Sequence, residues 1–275
     1  MEIPRRAREA RVDIHRASAL ETLRRARERR PSLIYLDPPF AVGKTFRMLR
    51  DVDTGEGTFE AGRAAYDDTW ATLDDYLAAI EPVVKAAHDA LHDEGSLLLH
   101  CDHRAAPYLA IACDRTFGMG DRGPRKHAPG FRNTLIWRYG LGGSSKRCYP
   151  KKHDVIFWYT KGARWHFDPP MVPATSQRMK GKLKKAPDVL DIPAINNMAK
   201  ERTGYPTQKP LALLELLVRA HTQPGDWVCD PMCGSGTTGV AALRLGRNAL
   251  LGDIGDAAIA VARARASEVV PGEAL

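Results

Sequence analysis

The sequence predicts an α/β protein built around a largely parallel sheet, and three observations predict it. Short apolar runs alternate along the chain with segments of helical spacing. A glycine-punctuated turn leads from one such run straight into the next helix. Two long polar stretches break the alternation and carry no strand-like runs, as segments outside a sheet would. A chain of 275 residues, 44% hydrophobic and 27% charged, suits one large domain or one domain carrying an insertion.

The expected strands are SLIYL (32–36), GSLLLH (95–100), NTLIWRY (133–139), DVIFWYT (154–160), DWVCD (226–230) and NALLGDI (248–254), all apolar or β-branched. In LDDYLAAIEPVVKAAHDAL (73–91), Leu73, Leu77, Ile80, Val84 and Ala87 recur at steps of three and four, which predicts a helix. PLALLELLVRAHT (210–222) has proline in its first turn, TTGVAALRLG (237–246) ends on Gly246, and DAAIAVARARASEVV (256–270) is a last helix. The polar segment 41–68 is too long for a passive connection and reads as a mobile loop. The region 161–203, with MKGKLKK (179–185) and several prolines, reads as an insertion outside the sheet.

The balance of 41 Lys and Arg against 33 Asp and Glu gives +8, which favours a polyanionic partner such as nucleic acid. No apolar run approaches the roughly 20 residues that span a bilayer, so no membrane is expected. The arginine-rich start is broken by acids and no apolar signal core follows it, so no export or transit segment is expected. Five cysteines, an odd number, do not form a disulfide framework and point to a reducing cytoplasm.

VCDPMCGSGTTG (228–239) follows a strand and opens a helix, with Gly234, Gly236 and Gly239 at the GxGxxG spacing of a turn that lets a ligand approach the backbone. No lysine precedes Thr237 and Thr238, so this is not a phosphate-gripping P-loop. Asp253 ends the next strand, where an acid can accept from ribose hydroxyls. An adenosine-containing cofactor follows, with a nicotinamide cofactor and S-adenosylmethionine both open. Asp230 tilts the choice toward the second, because a carboxylate attracts its cationic methionine end and repels a pyrophosphate.

In SLIYLDPPF (32–40), an expected strand stops at an acid, two prolines and a ring. The prolines fix φ and remove N–H donors, so the Asp37 carboxylate and the Pro38 carbonyl stand as two acceptors near one point. They match an amino group with two N–H donors. Pro39 completes the stiff exit, and Phe40 offers a face on which an extruded base can stack.

With these two motifs together, the chain resembles the β-class of S-adenosylmethionine-dependent DNA amino-methyltransferases. Asp37–Phe40 matches the family's amino-methylation motif, and Asp230–Thr238 its cofactor motif. YPTQKP (205–210), LLLHCD (97–102), NTLIWRYG (133–140) and KKHDVIFWYTKG (151–162) also look like family blocks. The catalytic motif precedes the cofactor motif, the circular permutation that defines this class. The resemblance implies one catalytic domain over 1–275: a circularly permuted class I (Rossmann-like) fold, with a seven-stranded, mostly parallel sheet and helices on both faces. Segment 41–68 would lie near the target base, and 161–203 would be a small target-recognition insertion.

Carried over residue by residue, the resemblance assigns cofactor contacts to Asp37, Lys209, Asp230, Gly234, Gly236, Thr237, Thr238 and Asp253, and catalysis to Asp37, Pro38, Pro39 and Phe40. Met232 departs from the usual phenylalanine, and Ser18 stands where an acid usually helps bind the adenine ring. The chain ends soon after the 256–270 segment, so no large C-terminal recognition domain is expected. Double-stranded DNA is the implied partner, with phosphate contacts expected from Lys146, Arg147, Lys151, Lys152, Arg178 and Lys180 and the rest of the run to Lys185. Trp165 and His166 lie where the family keeps target recognition, or else pack the insertion against the sheet. A homodimer and a cognate restriction endonuclease are implied by the resemblance alone.

The expected chemistry is direct methyl transfer to adenine N6 of a flipped base. Cytosine N4 is the alternative within the class, since serine is more usual than aspartate at the first motif position there. A catalytically weak DNA-binding paralogue is a second alternative, and a nicotinamide dehydrogenase leaves Asp37–Phe40 unexplained. Cys233 reads as a packing residue in the turn. Cys101, Cys113, Cys148 and Cys229 lack the Pro-Cys setting of ring-carbon methylation. Adjacent residues of HCDH (100–103) face opposite ways on a strand, so no metal site is expected, and Asp102 is expected at the pocket rim.

Overall fold

Strands that read as continuous apolar runs need cover on both faces, and the computed structural model supplies it with three helices on each side of one sheet. It describes residues 10–55, 57–124, 128–140, 144–174, 178, 180–196 and 198–269. Met179 of the basic run and Val270 of the expected last helix lie outside the described residues, as do the first nine residues and, within the two long segments, Glu56, residues 175–177 and Asn197.

The first half of the chain runs β1 (Val12–Arg16), α1 (Ala19–Arg29), β2 (Leu33–Leu36), β3 (Lys44–Arg47), β4 (Val52–Asp53), β5 (Thr58–Phe59), β6 (Ala64–Asp68), α2 (Leu73–Ala90), β7 (Ser96–Cys101) and α3 (Ala106–Phe117). It continues with β8 (Gly130–Arg138), β9 (His153–Thr160), β10 (Met171–Pro173), β11 (Leu183–Lys185), β12 (Val189–Asp191), α4 (Leu211–His221), β13 (Trp227–Asp230), α5 (Thr237–Arg244), β14 (Asn248–Asp253) and α6 (Asp256–Ser267).

Among the described residues, the large sheet has the order β1-β14-β13-β2-β7-β9-β8-β12. The expected seven strands are there, and β12 adds a short eighth at the edge, parallel to β8 with Val189 opposite Ile136. Residues 189–191 of the insertion therefore belong to the sheet rather than outside it. The first five strands are mutually parallel, and β9 runs antiparallel between β7 and β8.

Alternation within each strand divides the core. Ile34, Leu36, Leu97 and Leu99 meet α1, α2 and α3 through Leu23, Val84 and Leu109. Leu33, Tyr35, Leu98 and Val228 meet α4, α5 and α6 through Leu214, Ala241 and Ala262. Ser18 caps α1 in a reciprocal pair, accepting from the Glu21 N–H while its own N–H donates to the Glu21 carboxylate. Its side chain thus serves the helix start, and Ala19 is the neighbour that reaches the central cleft.

Segment 41–68 folds as nested hairpins, β3 with β6 and β4 with β5. Met48 is buried there against Tyr205, Ala257 and Ala258. In the insertion, β10 and β11 form a further hairpin.

Candidate active site

Strands β13 and β2 are parallel neighbours, and the chain departs from them in opposite directions, β13 toward β14 and β2 toward β7. A crevice must open outside the carboxyl ends of strands at such a reversal. Both motifs leave the sheet there. Asp37–Phe40 follows β2, residues 231–235 follow β13, and both line one cavity of about 290 Å³, with Gly236 not among the lining residues. Residues some two hundred positions apart thus converge on a single cleft.

The glycine turn is built on backbone that side chains resist. Gly234 and Gly236 have φ of 49° and 74°. A Cβ at Gly236 would stand 2.7 Å from the Ala262 Cβ, which ties the turn to α6. From beneath, the Arg265 Nη1 donates to the Ser235 carbonyl and the Thr237 hydroxyl, both at 2.8 Å. The Thr238 hydroxyl donates to Asp230 Oδ2 at 2.6 Å. Asp253 accepts the N–H groups of Gly234 at 3.0 Å and Gly255 at 2.9 Å, which fixes the spacing of β13 and β14 turns.

The Asp-Pro-Pro-Phe exit is held by a residue that the sequence did not single out. The buried Asp68 carboxylate accepts three successive N–H groups, from Phe40 at 3.1 Å, Ala41 at 2.9 Å and Val42 at 3.0 Å, and also the Trp70 indole. Ala41 sits at φ 56°, a left-handed conformation that alanine adopts only under such restraint. Tyr76 donates to the Pro39 carbonyl at 2.9 Å.

Asp37 is the centre of the site. Its Oδ2 receives Lys209 Nζ at 2.5 Å, while its Oδ1 is buried with no partner. The same ammonium lies 5.3 Å from the centroid of the Phe40 ring. Lys209, assigned to the cofactor by resemblance, is in this structure the counterion of Asp37.

Five carboxylates, those of Asp37, Asp67, Asp68, Asp230 and Asp253, line the cavity with Lys209 among them. Burial pushes Asp230 up to about 7 against the pull of the Thr238 hydrogen bond, and the charges of Asp37 and Asp253 add to the rise. Burial also raises Asp253, against its backbone hydrogen bonds. Such a wall is short of positive charge and suits a cation. With the glycine turn and the orphaned Asp37 oxygen, the residues present fit S-adenosylmethionine, whose sulfonium and ammonium are both cationic.

Not every expected position lies here. Asp102 is absent from the cavity wall and instead accepts the Arg104 N–H at 2.8 Å ahead of α3. Trp165 lies under the Arg132 guanidinium at 3.9 Å, and His166 meets Gln223, so both pack the insertion onto the scaffold. They sit beyond the carboxyl end of β9, which runs away from the cleft. Cys233 does line the cavity but is buried and packed with Leu33 and Leu214 on one face of the sheet. Within HCDH, His100 meets Tyr35 and Trp137 while Cys101 joins the opposite core, so neighbours do face opposite ways.

Among the residues expected on DNA, Lys146, Arg147, Lys151, Arg178 and Lys180 are exposed and Lys152 is half-buried. Because β8 runs parallel to β2 through the antiparallel β9, the chain leaves the sheet after Arg138 and re-enters it at His153 at the cleft end. Arg178 and Lys180 belong to the β10–β11 hairpin connection.

A glycine turn and paired acids at the reversal point of a mostly parallel sheet define a class I S-adenosylmethionine-dependent methyltransferase. Known proteins share the fold. The cytosine-N4-specific PvuII DNA methyltransferase superposes with a TM-score of 0.66 at 17% identity, covering 97% of this chain and 89% of its own. The complex of M1.HpyAVI with S-adenosylmethionine gives 0.60 at 20% identity over 92% and 98%. The DNA methylase family of the N6/N4 type matches residues 32–264, and the chain belongs to that family. In sequence it is 28% identical over 256 residues to the DNA adenine methyltransferase YhdJ of Escherichia coli K12, covering 87% of this chain and 76% of that protein.

Proposed function

We propose that the protein transfers a methyl group from S-adenosylmethionine to adenine N6 in double-stranded DNA, acting on a base turned out of the helix. The observation that carries this reading is the convergence of Asp37–Phe40 and the 230–238 turn on one cleft, with Asp37 Oδ1 buried and unpaired. An exocyclic amine is a weak nucleophile because its lone pair is delocalised into the ring. Asp37 Oδ1 and the Pro38 carbonyl accept from its two hydrogens and favour a pyramidal nitrogen with the lone pair facing the cofactor side. Lys209 holds Asp37 by its other oxygen and so fixes the direction of the free one. Phe40 stacks the base, which partly offsets the few kcal/mol lost on unstacking it.

Asp230 and Asp253, with Gly234, Gly236, Thr237 and Thr238, hold the cofactor, which supplies a methyl group on a cationic sulfur. After transfer the nitrogen sheds one proton, which Asp37 Oδ1 is placed to accept. Segment 41–68, whose Val42, Phe46 and Tyr66 line the cavity, closes over the base, and the 161–203 insertion contributes to target recognition. Lys146, Arg147, Lys151, Lys152, Arg178 and Lys180 contact phosphates.

Aspartate at the first motif position favours adenine over cytosine, as does the likeness to an adenine-specific relative. No helix among the described residues is long and apolar enough to cross a membrane, and a cytoplasmic location rests on this and on five free cysteines. A homodimer and a cognate endonuclease are carried forward from the family resemblance alone. Expression in a methylation-free host, followed by single-molecule sequencing of its genome, tests the reading directly. N6-methyladenine at one recurrent sequence is the expected result. N4-methylcytosine overturns the choice of base, and unmodified DNA overturns the reading. Asp37→Ala should abolish modification while DNA binding is kept.

A further inference from the structure

The scaffold beneath Phe40 contains a polar chain that the proposed chemistry does not use. His100, in β7 directly after Leu97, Leu98 and Leu99, is fully buried. Its Nδ1 lies 2.6 Å from the Tyr35 hydroxyl and its Nε2 3.3 Å from Asp154 Oδ2. The other oxygen of Asp154 receives the Tyr139 hydroxyl at 3.4 Å. The imidazole lies nearly parallel to the Phe40 ring, at 28° with centroids 5.9 Å apart, and takes Trp137 edge-on at 5.6 Å.

A carboxylate only accepts, so Nε2 carries a hydrogen toward Asp154, and in the neutral ring Nδ1 then accepts from Tyr35. Residues from β2, β8 and β9 therefore grip one ring of β7 at the cleft end of the sheet. Packing alone does not ask for this, since leucine fills the three preceding positions and a buried polar chain is costlier unless every member is satisfied. What the chain can do is orient Phe40. The two prolines fix the backbone before Phe40 but leave its side-chain torsions free, and the imidazole is the flat surface that restricts them.

We propose that His100, held by Asp154 and Tyr35, is a positioning residue for methyl transfer: it sets the plane of the Phe40 ring against which the target base stacks. The inference deepens the amino-methylation reading and rests on it. A misplacement near 1 Å costs about 100-fold in rate, so loss of this support is expected to appear in turnover rather than in binding.

The test uses His100→Phe, which keeps a flat ring and loses both hydrogen bonds, and Asp154→Asn, which keeps shape and loses the anchoring charge. Both are expected to lower kcat by about 10- to 100-fold, with cofactor Kd within about threefold of wild type. Both are also expected to change the emission of DNA carrying 2-aminopurine at the target position, because the probe reports stacking of the flipped base. The imidazole 15N spectrum of the wild type is expected to show the Nε2–H tautomer for His100, whatever the activity. Folded variants with kcat within twofold and unchanged 2-aminopurine emission overturn the proposal. So does a loss of activity that follows only a fall in Tm. A wild type that transfers no methyl group to DNA overturns the parent reading and this one with it, whereas an active wild type with insensitive variants overturns this one alone.

Discussion

Asp230 carries the pH dependence of the cleft. Its carboxyl, pushed up to about 7 chiefly by burial, keeps its proton where an unfolded chain has lost it near pH 4. Between those values the folded protein binds the extra proton, so this group lowers stability as pH rises from about 4 to about 7. A cation beside it favours the carboxylate instead. Cofactor affinity is therefore expected to rise with pH through about 7, with protons released on binding below that value. Calorimetric titration in buffers of different ionisation enthalpy measures the release, and Asp230→Asn provides the baseline, expected to bind about 10-fold more weakly with a flatter profile. Equal proton release by both proteins would remove Asp230 from the cofactor site. Asp37, Asp230 and Asp253 were legible in the sequence because their chemistry comes with a local motif, whereas Lys209 enters only through the family resemblance and its pairing with Asp37 is not legible. Asp68, Tyr35, His100 and Arg265 were not, because each matters only through partners distant in the chain, as Asp68 does through Phe40.

Among the elements, the turn after β2 depends on the end of β6. Asp68→Ala removes the acceptor of three consecutive N–H groups and frees Ala41 from its left-handed conformation. A loss of about 2–4 kcal/mol is expected in urea unfolding, together with a fall in kcat larger than that of an exposed change such as Asp74→Ala. Stability and turnover both near wild type would mean that the turn holds itself. Closure of 41–68 over a base predicts slower hydrogen exchange there when cognate DNA is added; exchange that does not change marks a fixed wall. The apolar strands and four of the helices were readable from periodicity, since burial on both faces of a sheet leaves a continuous run. β1, α1 and α3 were missed: VDIHR is half-exposed at an edge and α1 carries charge on most of its surface. The hairpins within 41–68 have strands of two to five residues that owe their pairing to the scaffold, and β12 joins the sheet through β8 rather than through any pattern of its own.

On the scale of the whole molecule, local patterns do not give the order of the strands, yet that order makes the site. Two strands from the end of the chain, β13 and β14, lie between β1 and β2, and this brings the glycine turn beside Asp37. The same topology sends the chain out of the sheet after β8 at the cleft end, and the proposal that Lys146, Arg147 and Lys151 hold DNA there draws on that placement. Each phosphate neutralised by a lysine or arginine contributes about 0.9 to the slope of log affinity against log salt. Replacing Lys146, Arg147 and Lys151 together by alanine is therefore expected to reduce that slope by roughly 2–3, measured by fluorescence anisotropy at several salt concentrations, while cofactor affinity is unchanged. Arg178→Ala with Lys180→Ala examines the β10–β11 hairpin separately. A slope lost only in the second protein would move the DNA path from the cleft-end connection to the hairpin, and a slope unchanged in both would assign the phosphate contacts to other basic residues.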